Sequence, residues 1–282
     1  MFMVPLLAIL VGCIAPIDTD DTREGFDIDQ DEFGNEVKIV AFNVESGDAT
    51  AAKTAESVTR VKGESIWALV EVENEQWAQT FALAAADDGQ EGFAYIMGTT
   101  GWADKIVIAW DDERFELLSS EELHDINVGG TARAPLVAHF RNRTTGTEFL
   151  FQANHLWRSE WQNRHEQARL LNDWALTQDL PVVGAGDYNF DWLVTGGDDD
   201  HDAGYDYLTE DDVWEWVRPE ELIQTQCSTY YGRNVLDFVF VAGEAKTWER
   251  SSTVLEDYNS YCAQEDDEQS DHRPIQATFT LP

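Results

Sequence analysis

The sequence has 282 residues, enough for one large domain or two small ones, and 43% of them are hydrophobic, which suffices for a full core. Its 11 Trp, 14 Phe and 8 Tyr exclude a chain disordered throughout, and no apolar run reaches the roughly 18 residues needed to span a bilayer. Against 18 basic residues stand 55 acidic ones, a net charge of −37; a general basic surface for nucleic acid is excluded, and any phosphate chemistry must rest on a local site with a metal ion.

In chain order the first element is a targeting segment. Met1 to Leu10 is almost wholly apolar, and Leu10-Val11-Gly12-Cys13 has the form of a bacterial lipobox, whose Cys is lipidated on its thiol and becomes the new N-terminus. Residues 1–13 are expected to direct export and Cys13 to carry a lipid anchor at the cell envelope; an ordinary secretory signal is the alternative. Residues 14–36 are polar and rich in Asp with no hydrophobic period, as an acidic tether would be. Asp27, Asp29 and Asp31 have the spacing that opens a calcium loop, but its glycine at the sixth position is missing, so a solvated linker is expected. Two cysteines remain after Cys13, namely Cys227 and Cys262. In an exported chain an even pair favours a disulfide, with a buried free pair as the alternative.

The folded domain is expected over 37–282, without an internal repeat or a dividing linker. Val37 to Phe42 predicts a strand, and Asp48 to Val61 a helix with Ala51, Ala55, Val58 and Val61 at helical spacing. Ile66 to Val70 predicts a second strand and Gln76 to Ala85 a second helix. Further strands are expected at Phe93 to Met97, Ile106 to Trp110, Leu136 to Phe140 and Phe149 to Ala153. Glu160 to Leu176 reads as a long helix with Ala168, Leu171 and Ala175 on one face. Pro181 to Gly184, Val235 to Val241 and Ile275 to Leu281 complete the strands. Many strands with few helices predict an α/β layered domain on two packed sheets.

Chemistry gathers at the strand ends. Asn43 follows the first strand, Glu71 the second, and Asn154-His155 the Phe149 strand. Gly186-Asp187-Tyr188-Asn189 follows Pro181 to Gly184, Asp237 sits inside a late strand, and Ser270-Asp271-His272 precedes the last. Loops after strands are where catalytic groups are most often presented. An Asn, a Glu and an Asp converging would suit a hard cation such as Mg²⁺, and two His with a further Asp supply acid, base and orienting groups for hydrolysis. Each piece alone is as readily structural, as a turn, a helix cap or a solvated carboxylate. The ordered set is what carries weight.

That set resembles the endonuclease/exonuclease/phosphatase superfamily, the fold of pancreatic-type deoxyribonuclease, and its secreted bacterial nuclease branch in particular. The likeness rests on KIVAFNV (Lys38 to Val44), WALVEVEN (Trp67 to Asn74), ARAPLVAHF (Ala132 to Phe140), ANHL (Ala153 to Leu156), VVGAGDYN (Val182 to Asn189), LDFVFV (Leu236 to Val241) and SDHRP (Ser270 to Pro274), which cover almost all of the chain after the tether. It implies a four-layer α/β sandwich of two packed, mostly antiparallel sheets flanked by helices. It also implies that Asn43, Glu71 and Asp271 surround a divalent cation, Mg²⁺ or Mn²⁺. Asp187 would polarise or deprotonate the attacking water, and Asn189 would hold the phosphate. His272 would contact the phosphate, oriented by Asp237, while His155 would be a proton donor or phosphate ligand. Arg133 falls where the deoxyribonuclease branch has a phosphate-contacting Arg, and Lys105 is a weaker candidate of that kind.

The sequence departs from the pattern at Glu73, where that branch carries an Arg, and His155 has no carboxylate partner identifiable from sequence. The acidic run Gly197 to Asp202 could hold a structural Ca²⁺ through Asp198, Asp200 and Asp202, although a solvated cluster is expected because the Gly and closing Glu of a true loop are absent. Abundant Asp and Glu with little Lys suits salty water, where at about 1 M salt the Debye length of about 3 Å removes most of the penalty on a polyanion's approach. The expected function is an exported, metal-dependent phosphodiesterase, a monomer with nucleic acid as substrate. The alternatives are the same chemistry on phospholipid head groups, sphingomyelin or inositol phosphates, and a non-catalytic binding lipoprotein.

Overall fold

Alternation along the first strand decides two layers at once. In β1 (Glu36–Asn43), Ile39 and Ala41 enter one apolar cluster while Val40 and Phe42 enter another, and all four are buried. The period of two sends alternate side chains to opposite faces, so a strand with apolar residues on both must be covered on both. The computed structural model describes residues 35–86, 92–227, 234–255 and 268–282. Cys13, Cys262, the Asp27–Asp31 spacing and most of the acidic tether lie outside those residues.

After β1 come α1 (Ala51–Arg60), β2 (Ile66–Val72), α2 (Glu75–Ala85), β3 (Ala94–Met97), β4 (Lys105–Trp110), β5 (Phe115–Glu122), β6 (Leu136–Asn142) and β7 (Glu148–His155). Then follow α3 (Trp161–Leu176), β8 (Val182–Trp192), α4 (Gly204–Thr209), β9 (Trp214–Trp216), β10 (Val235–Ala242), β11 (Glu249–Val254) and β12 (Ile275–Thr280). The strands form two six-stranded sheets, ordered β11-β12-β1-β2-β4-β3 and β5-β6-β7-β8-β10-β9. Every pairing is antiparallel except β1 with β2 and β7 with β8.

One core lies between the sheets, where Ile39, Ala68 and Ile108 of the first meet Phe140, Phe151 and Val239 of the second. There Phe149 meets both Phe115 and Trp248 edge-on, with ring centroids 6.0 Å apart, a favoured aromatic geometry. A second core lies under α1 and α2, and a third under α3 and α4. The result is the expected four-layer α/β sandwich. Thr50 caps α1 by accepting from the Lys53 amide, and Asn74 caps α2 by accepting from the Gln76 and Trp77 amides, which satisfies donors left open at a helix start. No helix among the described residues is long and apolar enough to cross a membrane.

Two differences from the sequence reading have physical reasons. The strand expected at Pro181 to Gly184 runs on to Trp192, so Asp187-Tyr188-Asn189 lies within it; the glycine that suggested a turn adopts φ +140° inside the strand instead. Strands β5, β9 and β11 and helix α4 were not expected. Each is short, or polar along an edge, so its apolar period is too weak to register. In the acidic run Asp198 pairs with Arg218 at 2.9 Å, while Asp202 pairs with Arg164 at 2.7 Å and His165 at 3.0 Å.

Candidate active site

The register of the second sheet sets three titratable groups in one row. His155, the last residue of β7, lies opposite Asp187 of β8, which lies opposite Asp237 of β10. Gly186 allows the close approach: a Cβ there would come within 2.0 Å of the Asn154 carbonyl oxygen. From the first sheet β1 ends on Asn43, and Glu71 sits near the end of β2 at φ +64°, where the pairing with β4 shifts register. A positive φ on a glutamate is uncommon. Here it aims the carboxylate at the seam between the sheets. Asn43 Nδ2 closes that seam, donating to Glu71 at 2.9 Å and to Asp187 at 3.1 Å.

Carboxylates crowd one side of this seam. Glu71 Oε2 accepts from the Ser46 amide and hydroxyl at 3.1 and 3.2 Å. Asp271 accepts from Gln226 Nε2 at 2.5 Å, and its own amide donates to Glu45 at 2.6 Å. Burial, reinforced by the charge of Asp271, pushes Glu45 up to about 7, and burial with the charge of Glu71 raises Asp271 as well. Like charges so placed disfavour one another's ionised form, a cost that a cation would offset. An all-oxygen, partly solvent-facing set of this kind suits a hard divalent ion that keeps several waters, so Glu71 and Asp271, with Glu45 and Asn43 beside them, fit the cation expected from the sequence. Asn43, expected as a ligand, turns its amide nitrogen to the carboxylates and gives its oxygen to the Glu45 amide at 3.0 Å.

Two histidines face this cluster, each backed by a carboxylate. His272 Nδ1 lies 2.7 Å from Asp237 Oδ2, with both side chains buried. Burial alone would lower the imidazole, but the charge and hydrogen bond of Asp237, helped by Asp187 and Asp271, raise it to about 10. Nε2 is left facing Asp271 at 3.7 Å. His155 Nε2 lies 3.6 Å from Asp187 and 3.7 Å from Glu71, and its Nδ1 lies 3.5 Å from Asp104. Burial alone would raise Asp104, but the charge of His155 beside it, then the charge of Arg133, hold it below the usual carboxylate range. Fully buried Asp187 is pushed up by burial and by the charge of Asp237, against the pull of His155, His272 and Asn43.

Asp104 is thus the partner of His155 that sequence did not supply. Its only advance sign is an acid in a glycine turn ahead of an apolar strand, since Gly101 at φ +92° accepts the Asp104 amide at 2.8 Å. Arg133 reaches the edge of the site, where Nη1 pairs with Asp104 at 3.2 Å. Lys105 is not brought in; its ammonium donates to the Thr99 carbonyl at 3.3 Å. Asn189 is buried beside Asp187, its amide N–H donating to Asp187 Oδ1 at 2.9 Å and its side chain to the Leu156 carbonyl at 3.2 Å. Gln226 and Glu45 were not foreseen. Cys227 is disulfide-bonded, and the one remaining cysteine beyond the leader, Cys262, lies outside the described residues.

No protein-family model matches the sequence, and no curated protein matches it. Solved structures do. Over 88% of this chain and 95% of the other, it is similar to an endonuclease/exonuclease/phosphatase family protein from Bacteroides thetaiotaomicron, with a TM-score of 0.67 and 16% identity. It is similar to the mannosyl-6-phosphatase of the same organism over 87% of this chain and all 100% of that one, with a TM-score of 0.64 and 16% identity. A third likeness is D. rerio TDP2 complexed with a single-stranded DNA product, covering 86% and 98% of the two chains with a TM-score of 0.63 and 18% identity. The chain has the endonuclease/exonuclease/phosphatase, deoxyribonuclease I-like, fold.

Proposed function

We propose that this protein is a divalent-cation-dependent phosphoesterase of the endonuclease/exonuclease/phosphatase family, acting on a phosphodiester, with nucleic acid as the substrate. One observation carries the reading: the buried pair His272–Asp237 and the pair of buried His155 with half-buried Asp104 face buried Asp187, beside a cluster of crowded acids. A bound cation would supply positive charge to a phosphoryl oxygen. Asp187, raised by burial, takes the proton of the attacking water as its oxygen forms the new bond to phosphorus. His272, held as imidazolium, donates from Nε2 to the charge growing on the non-bridging oxygens. His155 gives its proton to the leaving oxygen as that phosphorus–oxygen bond breaks, and Asp104 holds its ring. Asn43 and Asn189 keep Asp187 oriented.

The apolar segment Met1 to Leu10 followed by Leu-Val-Gly-Cys13 supports export with a lipid anchor on Cys13. The phosphatase likeness and the charge of −37 favour a second substrate class, small phosphoesters. The deciding experiment gives protein lacking residues 1–13 plasmid DNA, a chromogenic phosphodiester and a phosphomonoester in parallel, with Mg²⁺ and with EDTA. Cleavage of DNA and diester, lost with EDTA and in His272→Ala, supports the nuclease reading. Turnover of the monoester alone moves the substrate to small phosphates, and no turnover of any overturns the enzyme reading.

A further inference from the structure

Three consecutive residues ahead of β10, Thr225-Gln226-Cys227, belong to none of the groups given a role above, yet each fastens one of them. Thr225 Oγ1 accepts from the amides of Leu236 at 3.0 Å and of Asp237 at 3.2 Å, and its carbonyl accepts from the Arg273 amide at 2.7 Å. The Cys227 amide donates to the Asp271 carbonyl at 2.8 Å. Gln226, between them, forms an antiparallel bridge to His272. The segment is a strap drawn across the Asp271-His272 turn and tied at its end by the disulfide of Cys227.

Main-chain bonds alone would hold this strap, so the Gln226 side chain has another task. It is 1% exposed. Nε2 donates to Asp271 Oδ2 at 2.5 Å, and Oε1 is buried with no hydrogen-bond partner. A buried amide with one half unpaired is costly, and an apolar side chain of that volume would fill the space without that cost. The half that is paired meets the outer oxygen of a carboxylate whose other oxygen, Oδ1, faces His272 Nε2. A donor in that place fixes the carboxylate's rotation and leaves Oδ1 presented to the site, as outer-shell partners do for ligating carboxylates.

We propose that Gln226 is a positioning residue that sets cation affinity by locking Asp271 in its ligating orientation. This rests on the reading of Asp271 as a cation ligand. The test uses the folded chain from residue 14 onward and measures Mn²⁺ binding by calorimetry and by electron paramagnetic resonance, with the melting temperature of metal-free protein beside it. Gln226→Met keeps volume and loses the donor; Gln226→Glu keeps shape and sets a second carboxylate against Asp271. We expect Gln226→Met to weaken Mn²⁺ binding on the order of tenfold, with kcat recovered at saturating Mg²⁺ and the metal-free melting temperature within about 4 °C of wild type. Gln226→Glu should weaken binding further at neutral pH. Wild-type affinity in a well-folded Gln226→Met overturns the proposal; should that variant not fold, wild-type affinity in Gln226→Glu overturns it equally. Absence of Mn²⁺ binding by the wild type, or undiminished binding by Asp271→Asn, instead overturns the cation reading on which it rests.

Discussion

Replacing Asp237 by Asn removes a charge and almost no volume, and its effect can be worked from the geometry. Asp237 lies 2.7 Å from His272 Nδ1, and both side chains are buried. The imidazole stands at about 10 against 6.5 in its ordinary state, which at about 1.4 kcal/mol per unit is a preference for imidazolium of ~5 kcal/mol in the folded protein. Without Asp237 the burial penalty remains, opposed only by Asp187 and Asp271. The imidazole should then fall by at least about 2 units, to about 8 or below, and be largely neutral at pH values above that. Because the folded value exceeds the unfolded one, the stability this pair contributes is complete below pH 6.5 and is lost as pH rises toward 10. The difference in unfolding free energy between wild type and Asp237→Asn should therefore be largest at pH 6 or below and shrink above it. A titration of the His272 ring by NMR, read beside the pH profile of kcat, tests both consequences, with kcat down about 10²–10⁴-fold at mildly alkaline pH. An Asp237→Asn enzyme whose His272 still holds its proton well above neutral pH, or whose activity there equals the wild type's, would refute the role given to Asp237.

Asp104→Asn should lower kcat on the order of 10²-fold with an unchanged circular dichroism spectrum, since it frees His155 and Arg133 together; full activity would remove Asp104 from the site. Gly186→Ala should destabilise by at least about 3 kcal/mol in urea denaturation, because the new methyl would meet the Asn154 oxygen at 2.0 Å at φ +140°. A loss well under that would show that the strand can relax there. Dialysis against EDTA should abolish turnover, with Mg²⁺ or Mn²⁺ restoring it and Glu71→Gln raising the concentration required; undiminished turnover in EDTA counts against a cation. Hydrolysis of nucleic acid, repelled by the net charge of −37, should hold or rise as salt approaches about 1 M, while a small diester responds little. A steady decline with salt would remove the salty-water reading.

The sequence was most informative where physics is local. Runs such as Val37 to Phe42 and Val235 to Val241 are apolar on both faces, which marks central strands whatever surrounds them. The polar groups that end or interrupt them, Asn43, Glu71, His155, Asp187 and Asp237, stand out against that background. Asp104 does not, because its meaning lies in a contact with His155, 51 residues away, made by a loop that reads as an ordinary turn. Gln226 is hidden for the same reason, since only the bridge to His272 reveals which oxygen its amide meets. Arg133 is picked out by its place along the chain, but its ion pair with Asp104 depends on how two loops pack. Polar edge strands such as β11 have half their periodicity facing water and leave a weak signature.

The sequence has no internal repeat, yet the wiring of the chain is laid down twice. In each sheet one parallel pair sits third and fourth in the order, joined by a helix and flanked by antiparallel neighbours: β1-α1-β2 in one, β7-α3-β8 in the other. The active centre lies where the carboxyl ends of these two matching units come together, and the division of labour follows that boundary. The first unit carries Asn43 and Glu71, proposed above for the cation, and the second carries His155 and Asp187, proposed for the proton transfers. The two units share an apolar core through Ile39, Ala41, Ala68, Phe151 and Ala185, and at the site itself they touch through the Asn43–Asp187 hydrogen bond and the 3.7 Å approach of His155 to Glu71.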